Sequence, residues 1–418
     1  MAAERGAELR TAANGPTFDP TVAGFFEDPY AHYAALRGAN PVHADERGVV
    51  FCFGYENVRR VLIDPRSTSM DRVGALPPRE DGTRRSPPPT FPLAILNRDP
   101  PDHTRLRRLL AGAFTQRSIE TLVAWMAGQL EGLLDEVEQQ AAAGTGVVDL
   151  VTALAFPFPF RVISHLVGMP DGADLQVREW AHEIRMASDP IVPRTQVARS
   201  VAAYEQINAY VRTEVLPWKR AHPGDDLLTQ LLAAEADGAL AIEELLDNVA
   251  LLYVAGHETT TGLIGNGILN LLRHRSELAR LQADPRLLPN AIDELNRFDS
   301  SVQFAWRYVV DDLTVGDVVL SAGDIAFVCC GSANRDPDRF GADADQLDIG
   351  RADAKDLLSY GAGLHFCLGA HLARQEAALV LGRLFERFPD IELAGDPTWG
   401  RSMTFRAVEH LPVALGTS

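Results

Sequence analysis

The chain has 418 residues, 46% of them hydrophobic, with 39 Lys plus Arg against 57 Asp plus Glu and a formal net charge of −18. That length suits two or three domains or one large enzyme core, and the apolar fraction is enough to bury it. The charge repels nucleic acid and anionic membrane surfaces, which disfavours any role built on phosphate-backbone or lipid-headgroup binding.

The first residues carry neither the apolar core of a signal peptide nor the long apolar run of a membrane anchor. Residues 1–17 read as a flexible N-terminal arm, and 18–418 read as one domain, because no repeat and no linker rich in Gly, Ser or Pro divides the rest. Strand patterns are expected at 48–53, 306–310, 313–319 and 325–330, and helical periodicity at 102–143, 198–220, 242–274, 286–298 and 368–388. Between them, residues 74–92 hold Pro77, Pro78, Pro87, Pro88, Pro89 and Pro92 and predict a long loop. The fold class expected is mainly α with small antiparallel β-sheets. The four cysteines, Cys52, Cys329, Cys330 and Cys367, form no CxxC pair and no zinc-finger spacing. A reducing, cytoplasmic setting is the expectation.

One of those cysteines has an unusual setting, Tyr360-Gly-Ala-Gly-Leu-His-Phe-Cys367-Leu-Gly-Ala-His-Leu-Ala-Arg374. Gly361 and Gly363 permit positive-φ turns close to a flat ligand, and Gly369 removes bulk just beyond the sulfur. A helix starting at 368 would aim its unpaired N–H groups and positive dipole end at Cys367, lowering its pKa. Taken alone, a free cysteine at a helix start is more often buried and inert.

Upstream, Ala255-Gly256-His257-Glu258-Thr259 interrupts an apolar helix. Ala255 and Gly256 are small enough for a planar ligand to approach. Thr259, one turn beyond Ala255, shares its face and can bond back to a carbonyl, locally opening the helix. Glu294 and Arg297 stand three apart, a spacing that in isolation is an ordinary surface pair contributing about 0.2–0.5 kcal/mol. In Asp99-Pro-Pro-Asp-His103-Thr-Arg-Leu-Arg107 the His and the second Arg share a helix face suited to carboxylates. Arg105, Arg108 and Arg117 point elsewhere and predict a local basic patch.

The Cys367 segment resembles the cysteine-ligand loop of the cytochromes P450, Phe-Gly-x-Gly-x-His-x-Cys-Leu-Gly-x-x-Leu-Ala-Arg, departing from it at Tyr360. The Ala255–Thr259 stretch is similar to that family's oxygen-activating helix, with Glu258 as acid and Thr259 as alcohol. Glu294 and Arg297 look like its Glu-x-x-Arg pair, which a second arginine often completes. At the corresponding stretch this chain offers Gln346, implying a partial network. The resemblance covers about residue 18 to the C-terminus and implies a cytochrome P450 catalytic domain over 18–418. It also implies haem b (heme b, iron protoporphyrin IX) ligated by Cys367, with His103, Arg107, Arg307 and His365 at the propionates and Ala255, Gly256 and Gly369 against the macrocycle.

With no flavin or iron–sulfur motif after residue 388, the resemblance further implies electrons from a separate ferredoxin and ferredoxin reductase, with NAD(P)H used indirectly. Arg105, Arg108 and Arg117 would dock the donor. The implied reaction uses molecular oxygen to hydroxylate or epoxidise a lipophilic small molecule, a secondary metabolite of polyketide, terpenoid or steroid-like type. By the same analogy the pocket draws on residues 77–96, 175–191, 251–259, 302–306 and 403–405. Oxidative coupling, nitration or ligand sensing by a haem-thiolate protein, and a helical binding protein without metal, remain alternatives.

Overall fold

In the computed structural model, which describes residues 17–44, 49–68, 91–170 and 174–416, the chain begins with α1 (Tyr30–Ala39), β1 (Val42–Ala44), β2 (Val49–Cys52), α2 (Tyr55–Ile63) and β3 (Ser67–Thr68). A helical half follows: α3 (Asp102–Ala111), α4 (Gln116–Ala143), the short strand β4 (Val147–Asp149), α5 (Pro157–Val167), α6 (Asp174–Arg185), α7 (Arg194–Tyr210), α8 (Leu216–Ala221), α9 (Leu227–Ala236), α10 (Ile242–Arg273), α11 (Arg275–Ala283) and α12 (Leu288–Phe298). Strands β5 (Phe304–Val309), β6 (Leu313–Val315), β7 (Val318–Leu320) and β8 (Ile325–Cys329) precede the short α13 (Cys330–Ala333) and α14 (Pro337–Phe340). Helix α15 (Ala370–Arg387) and strands β9 (Glu392–Leu393), β10 (Thr398–Trp399), β11 (Val408–His410) and β12 (Pro412–Ala414) complete the chain.

Helix α10 is the central post. Its 32 residues are buried on almost every side, as expected of a helix that is apolar all round. It packs against α5, α6, α12 and α15. At its start the Glu244 carboxylate reaches back to the Ala241 N–H at 2.9 Å, satisfying one of the free donors of the first turn. The expected helix over 102–143 is two helices. Gly112 to Phe114 form a 3₁₀ turn, and the Thr115 hydroxyl caps α4 by accepting from the Ser118 N–H at 3.2 Å. Helix α5 escapes sequence reading because Pro157 and Pro159 look like breakers, yet both sit in its first turn, where proline is tolerated.

The largest sheet runs β1-β2-β8-β5-β3. All its pairings are antiparallel except β2 with β8, where Val49 to Cys52 run parallel to Ile325 to Val328. The strand expected at 313–319 is instead the hairpin β6–β7, turned at Gly316 with φ +58°. Near the start of the described residues the Phe18 ring lies 4.9 Å from that of Phe51 and 5.4 Å from that of Phe304. Most of the predicted arm and residues 74–90 of the predicted loop lie outside the described residues.

Candidate active site

The Cys367 segment is built as its glycines predict. Gly361 and Gly363 have φ of +70° and +68°, and a Cβ on Gly363 would lie 3.2 Å from the Ile63 Cα and Leu62 carbonyl of α2. The Cys367 N–H donates to the Tyr360 carbonyl at 2.9 Å, closing the loop just before α15 starts. Tyr360 is buried, its ring lies 4.4 Å below the Arg374 guanidinium, and its hydroxyl has no hydrogen-bond partner among the described residues. Packing, rather than a bond to sulfur, accounts for this phenol.

Cys367 is exposed and lines a cavity of about 300 Å³, whose wall also includes Ala255, Gly256 and Thr259 of α10. The expectation of a lowered thiol pKa fails for the protein by itself. Burial pushes the thiol up, outweighing the Gly369 N–H and the charges of Arg374 and Arg107 that pull the other way. A thiolate here needs a cation on the sulfur, and that donor chemistry suits a ligated iron.

His103, Arg107, Arg307 and His365 all line this cavity. His103 is 1% exposed and neither ring nitrogen has a hydrogen-bond partner among the described residues. Burial, then His365 and Arg107, depress its pKa to about 4. Its ring meets that of His365 edge-on at 4.7 Å. Burial lowers the Arg307 pKa to about 10, and one of its nitrogens donates to the Trp306 carbonyl at 2.8 Å. Arg107 holds the carbonyls of Leu364 and Phe366 at 3.3 and 3.0 Å, so it also pins the cysteine loop. Two buried groups held below their ordinary pKa beside an arginine fit a ligand carrying carboxylates. The residues present therefore suit a flat, dianionic, iron-bearing group such as haem.

On α10, Thr259 Oγ1 donates to the Ala255 carbonyl at 3.0 Å as predicted, but the helix stays continuous rather than opening. Gly256 lines the cavity as expected and has a second reason to be small. A Cβ there would sit 2.7 Å from Ile163 Cγ1, so the approach of α5 requires glycine too. Gly369 lines the cavity, and a Cβ there would make only an ordinary contact, 3.9 Å from Phe114.

Glu258 points away from this cavity, into a second one of about 920 Å³ shared with His182, Arg185 and Phe405. Its carboxylate lies 3.2 Å from Arg185 Nε and 3.7 Å from His257 Nε2. Burial alone would raise its pKa, but His257 and Arg185 together hold it down at about 2. The expected pocket segments divide accordingly. Ile95, Leu96, Leu251, Leu252, Val302 and Ala305 line the cysteine cavity, whereas 178–185 and Phe405 line the second one.

Glu294 and Arg297 form no surface pair. Both are fully buried and doubly bonded, at 2.6 and 2.8 Å. The predicted gap at Gln346 is corrected, because Arg351 Nε reaches Glu294 at 3.2 Å and completes the network. Gln346 contributes only its backbone carbonyl, to Arg297 at 3.1 Å. Sequence spacing missed Arg351 because it lies five residues past that position, and the intervening turn brings it back. The expected basic patch also shrinks. Arg105 pairs with Glu244 and Asp102, leaving Arg108 and Arg117 exposed. Sequence reading also passed over Arg185, Asp247 and Glu376, whose burial depends on which helices meet.

A cavity that brings one thiol together with an alcohol-bearing helix and a basic cluster defines a haem-thiolate class of protein. The Cytochrome P450 family profile matches residues 42–396, and the chain belongs to that family. It is 42% identical over 371 residues to cytochrome P450 107B1 of Saccharopolyspora erythraea, covering 87% of this chain and 88% of that one. It is 34% identical to the 6-deoxyerythronolide B hydroxylase of the same organism, covering 94% and 97%. Among solved structures, PksS, the bacillaene polyketide synthase cytochrome P450 of Bacillus subtilis, matches with a TM-score of 0.84 and 33% identity over 96% of this chain and all of that one. The protein is a cytochrome P450 monooxygenase, an oxidoreductase of a haem-iron family with relatives in bacterial secondary metabolism. Among the described residues no helix is long and apolar enough to cross a membrane.

Proposed function

We propose that Cys367 would supply the thiolate that holds haem b, and that the enzyme inserts one oxygen atom into a lipophilic, polyketide-type metabolite in the cytoplasm. The observation that carries this reading is the placement of Cys367 and the His103–Arg107–Arg307–His365 cluster around one cavity. When bound, the haem supplies dioxygen activation and oxygen-atom transfer, which a thiolate ligand favours by donating electron density.

The chain's own residues do the rest. The four basic side chains would hold the propionates, and Ala255, Gly256 and Gly369 line the space the macrocycle would take. Leu62, Ile95, Leu96, Leu251 and Leu252 make the remaining wall apolar, which excludes water and selects a lipophilic substrate. Thr259 commits its proton to the Ala255 carbonyl, so its oxygen lone pairs are free to accept a hydrogen bond inside the cavity. Glu258, next in the chain but facing the second cavity, relays protons toward Thr259 when it leaves Arg185. The polyketide class rests on the relatives, one of which is named for hydroxylating 6-deoxyerythronolide B. Electrons come from a ferredoxin and its NAD(P)H-dependent reductase.

The test is spectroscopic. The reduced protein with carbon monoxide is expected to show the red-shifted Soret band of thiolate ligation. Cys367→Ser loses that band, while Cys52→Ser, Cys329→Ser and Cys330→Ser keep it. A histidine-type spectrum in the unmodified protein rejects the assignment.

A further inference from the structure

The first two turns of α10 carry Glu244, Asp247 and Asn248 into the interior, where each is buried. Glu244 has its role at the helix start. Asp247 belongs neither to the cavity wall nor to any ion pair among the described residues. A buried carboxylate without a cation is costly, so its hydrogen bonds must hold it.

Those bonds come from two separate parts of the chain. Asp247 Oδ1 accepts from the Tyr204 hydroxyl of α7 at 2.7 Å and from Asn208 Nδ2 at 3.4 Å. Its other oxygen accepts from the Leu93 N–H at 2.8 Å. The neighbouring Asn248 Oδ1 accepts from the Ile95 N–H at 3.0 Å. The Phe91 ring meets that of Tyr204 edge-on at 5.8 Å, and Asn97 Nδ2 ties the segment to itself through the Phe91 carbonyl at 2.9 Å. Ile95 and Leu96 of this segment form cavity wall, as do Leu251 and Leu252, one turn along α10 from Asp247 and Asn248.

We propose that Asp247 is a positioning residue that clasps the 91–97 segment and α7 onto α10, and that opening this clasp limits how fast bulky molecules enter and leave the cavity. The wall segment has no regular ladder of its own beyond one 3₁₀ turn, so its place depends on side-chain acceptors on α10. A single carboxylate serves as common acceptor for wall and α7, so the two elements release together. Neither Tyr204 nor Asp247 lines the cavity, and their loss leaves its chemistry untouched. This deepens the proposed function, on which only the optical readout below rests.

The test uses holoenzyme and two iron ligands of different size, 4-phenylimidazole and cyanide, followed by stopped-flow absorbance. Tyr204→Phe removes one hydroxyl. Asp247→Asn replaces one of the two acceptor oxygens with a donor, so the side chain can no longer serve both the Leu93 N–H and the Tyr204–Asn208 pair. In both variants the association and dissociation rates of 4-phenylimidazole are expected to rise together by about tenfold, the effect of losing a hydrogen bond to a charged group, while cyanide rates hold. The double variant exceeds the stronger single one by little, because one clasp is broken twice. Amide hydrogen exchange of the 91–97 peptide is expected to quicken in each variant. Unchanged azole rates with unchanged exchange overturn the proposal, and so does an equal rise for both ligands, which would mean general loosening. If Asp247→Asn does not fold, Tyr204→Phe decides alone. If the Soret test fails, the exchange measurement still decides the clasp.

Discussion

Glu376 stands on α15, 1% exposed, on the wall of the same cavity as Cys367, and its Oε2 has no hydrogen-bond partner among the described residues. Burial pushes its pKa well above the ordinary 4.5. Below that ordinary value both folded and unfolded chains hold the proton. As pH rises through it, the unfolded chain releases its proton while the folded protein keeps it. Stability therefore falls by up to about 1.4 kcal/mol per pH unit until the folded value is reached. Glu376→Gln is accordingly expected to melt a few degrees above the wild type at pH 7.5, with the gap closing near pH 4. An equal gap at both pH values would show a carboxyl that titrates alike in the folded and unfolded chains. Thr259 makes a different prediction, read from chemistry instead of stability. Thr259→Ala should keep haem content and substrate binding but divert NAD(P)H to hydrogen peroxide, cutting product formation by about a hundredfold to ten-thousandfold. Full coupling in that variant would leave Thr259 a structural residue only. Cys367, His103 and Arg107 were legible because their spacing and local chemistry survive in one dimension, whereas Arg307 and His365 were singled out only through the family resemblance. Glu376, Asp247 and Arg185 were not legible, since an acid or base amid apolar helix positions reads the same whether it faces solvent or a neighbouring helix.

Among the elements, helix α12 and the irregular segment before the cysteine loop are joined by the Glu294–Arg297–Arg351 network. Arg297 adds bonds to the carbonyls of Asn334, Ala344 and Gln346, and Arg351 adds one to Phe340. Removing one member leaves a buried charge short of a partner, which costs about 3–5 kcal/mol. Arg351→Ala is therefore expected to lose most of its haem and to melt far below the wild type. Gln346→Ala, which keeps the backbone carbonyl, should stay within about 0.5 kcal/mol. Denaturant titration separates the two, and equal stabilities would return the network to the partial form the sequence suggested. Long periodic helices such as α10 and α15 were readable from pattern alone. The break between α3 and α4 was not, because the apolar period runs on through a 3₁₀ turn whose signal is one capping hydroxyl, Thr115.

Across the whole molecule the net charge of −18 repels an acidic electron donor, so docking needs a local exception. Arg107 fastens α3 to the cysteine loop, and Phe114, just beyond α3, borders Gly369. Exposed Arg108 and Arg117 flank that short route to the sulfur, whereas Arg105 is neutralised by Glu244 and Asp102. Charge reversal at Arg108 and Arg117 should slow reduction by ferredoxin and flatten its dependence on ionic strength, leaving azole binding unchanged. Reversal at Arg105 should instead lower stability. Transfer kinetics that keep the wild-type salt response after both reversals would move the docking face elsewhere.

The parallel pairing of β2 with β8 reaches back across roughly 270 residues of chain. During synthesis at about 5–20 residues per second, β2 therefore leaves the ribosome about 15–55 s before its partner exists. For that interval Val50 and Cys52, both buried in the finished sheet, belong to an open edge able to pair with any neighbouring nascent chain. The strands made meanwhile pair elsewhere in the finished fold, and a chain truncated before residue 325 would keep that edge open for good. Shielding the four residues of β2, near the N-terminus, until the last quarter of the message is read is therefore expected to raise the yield of intact protein.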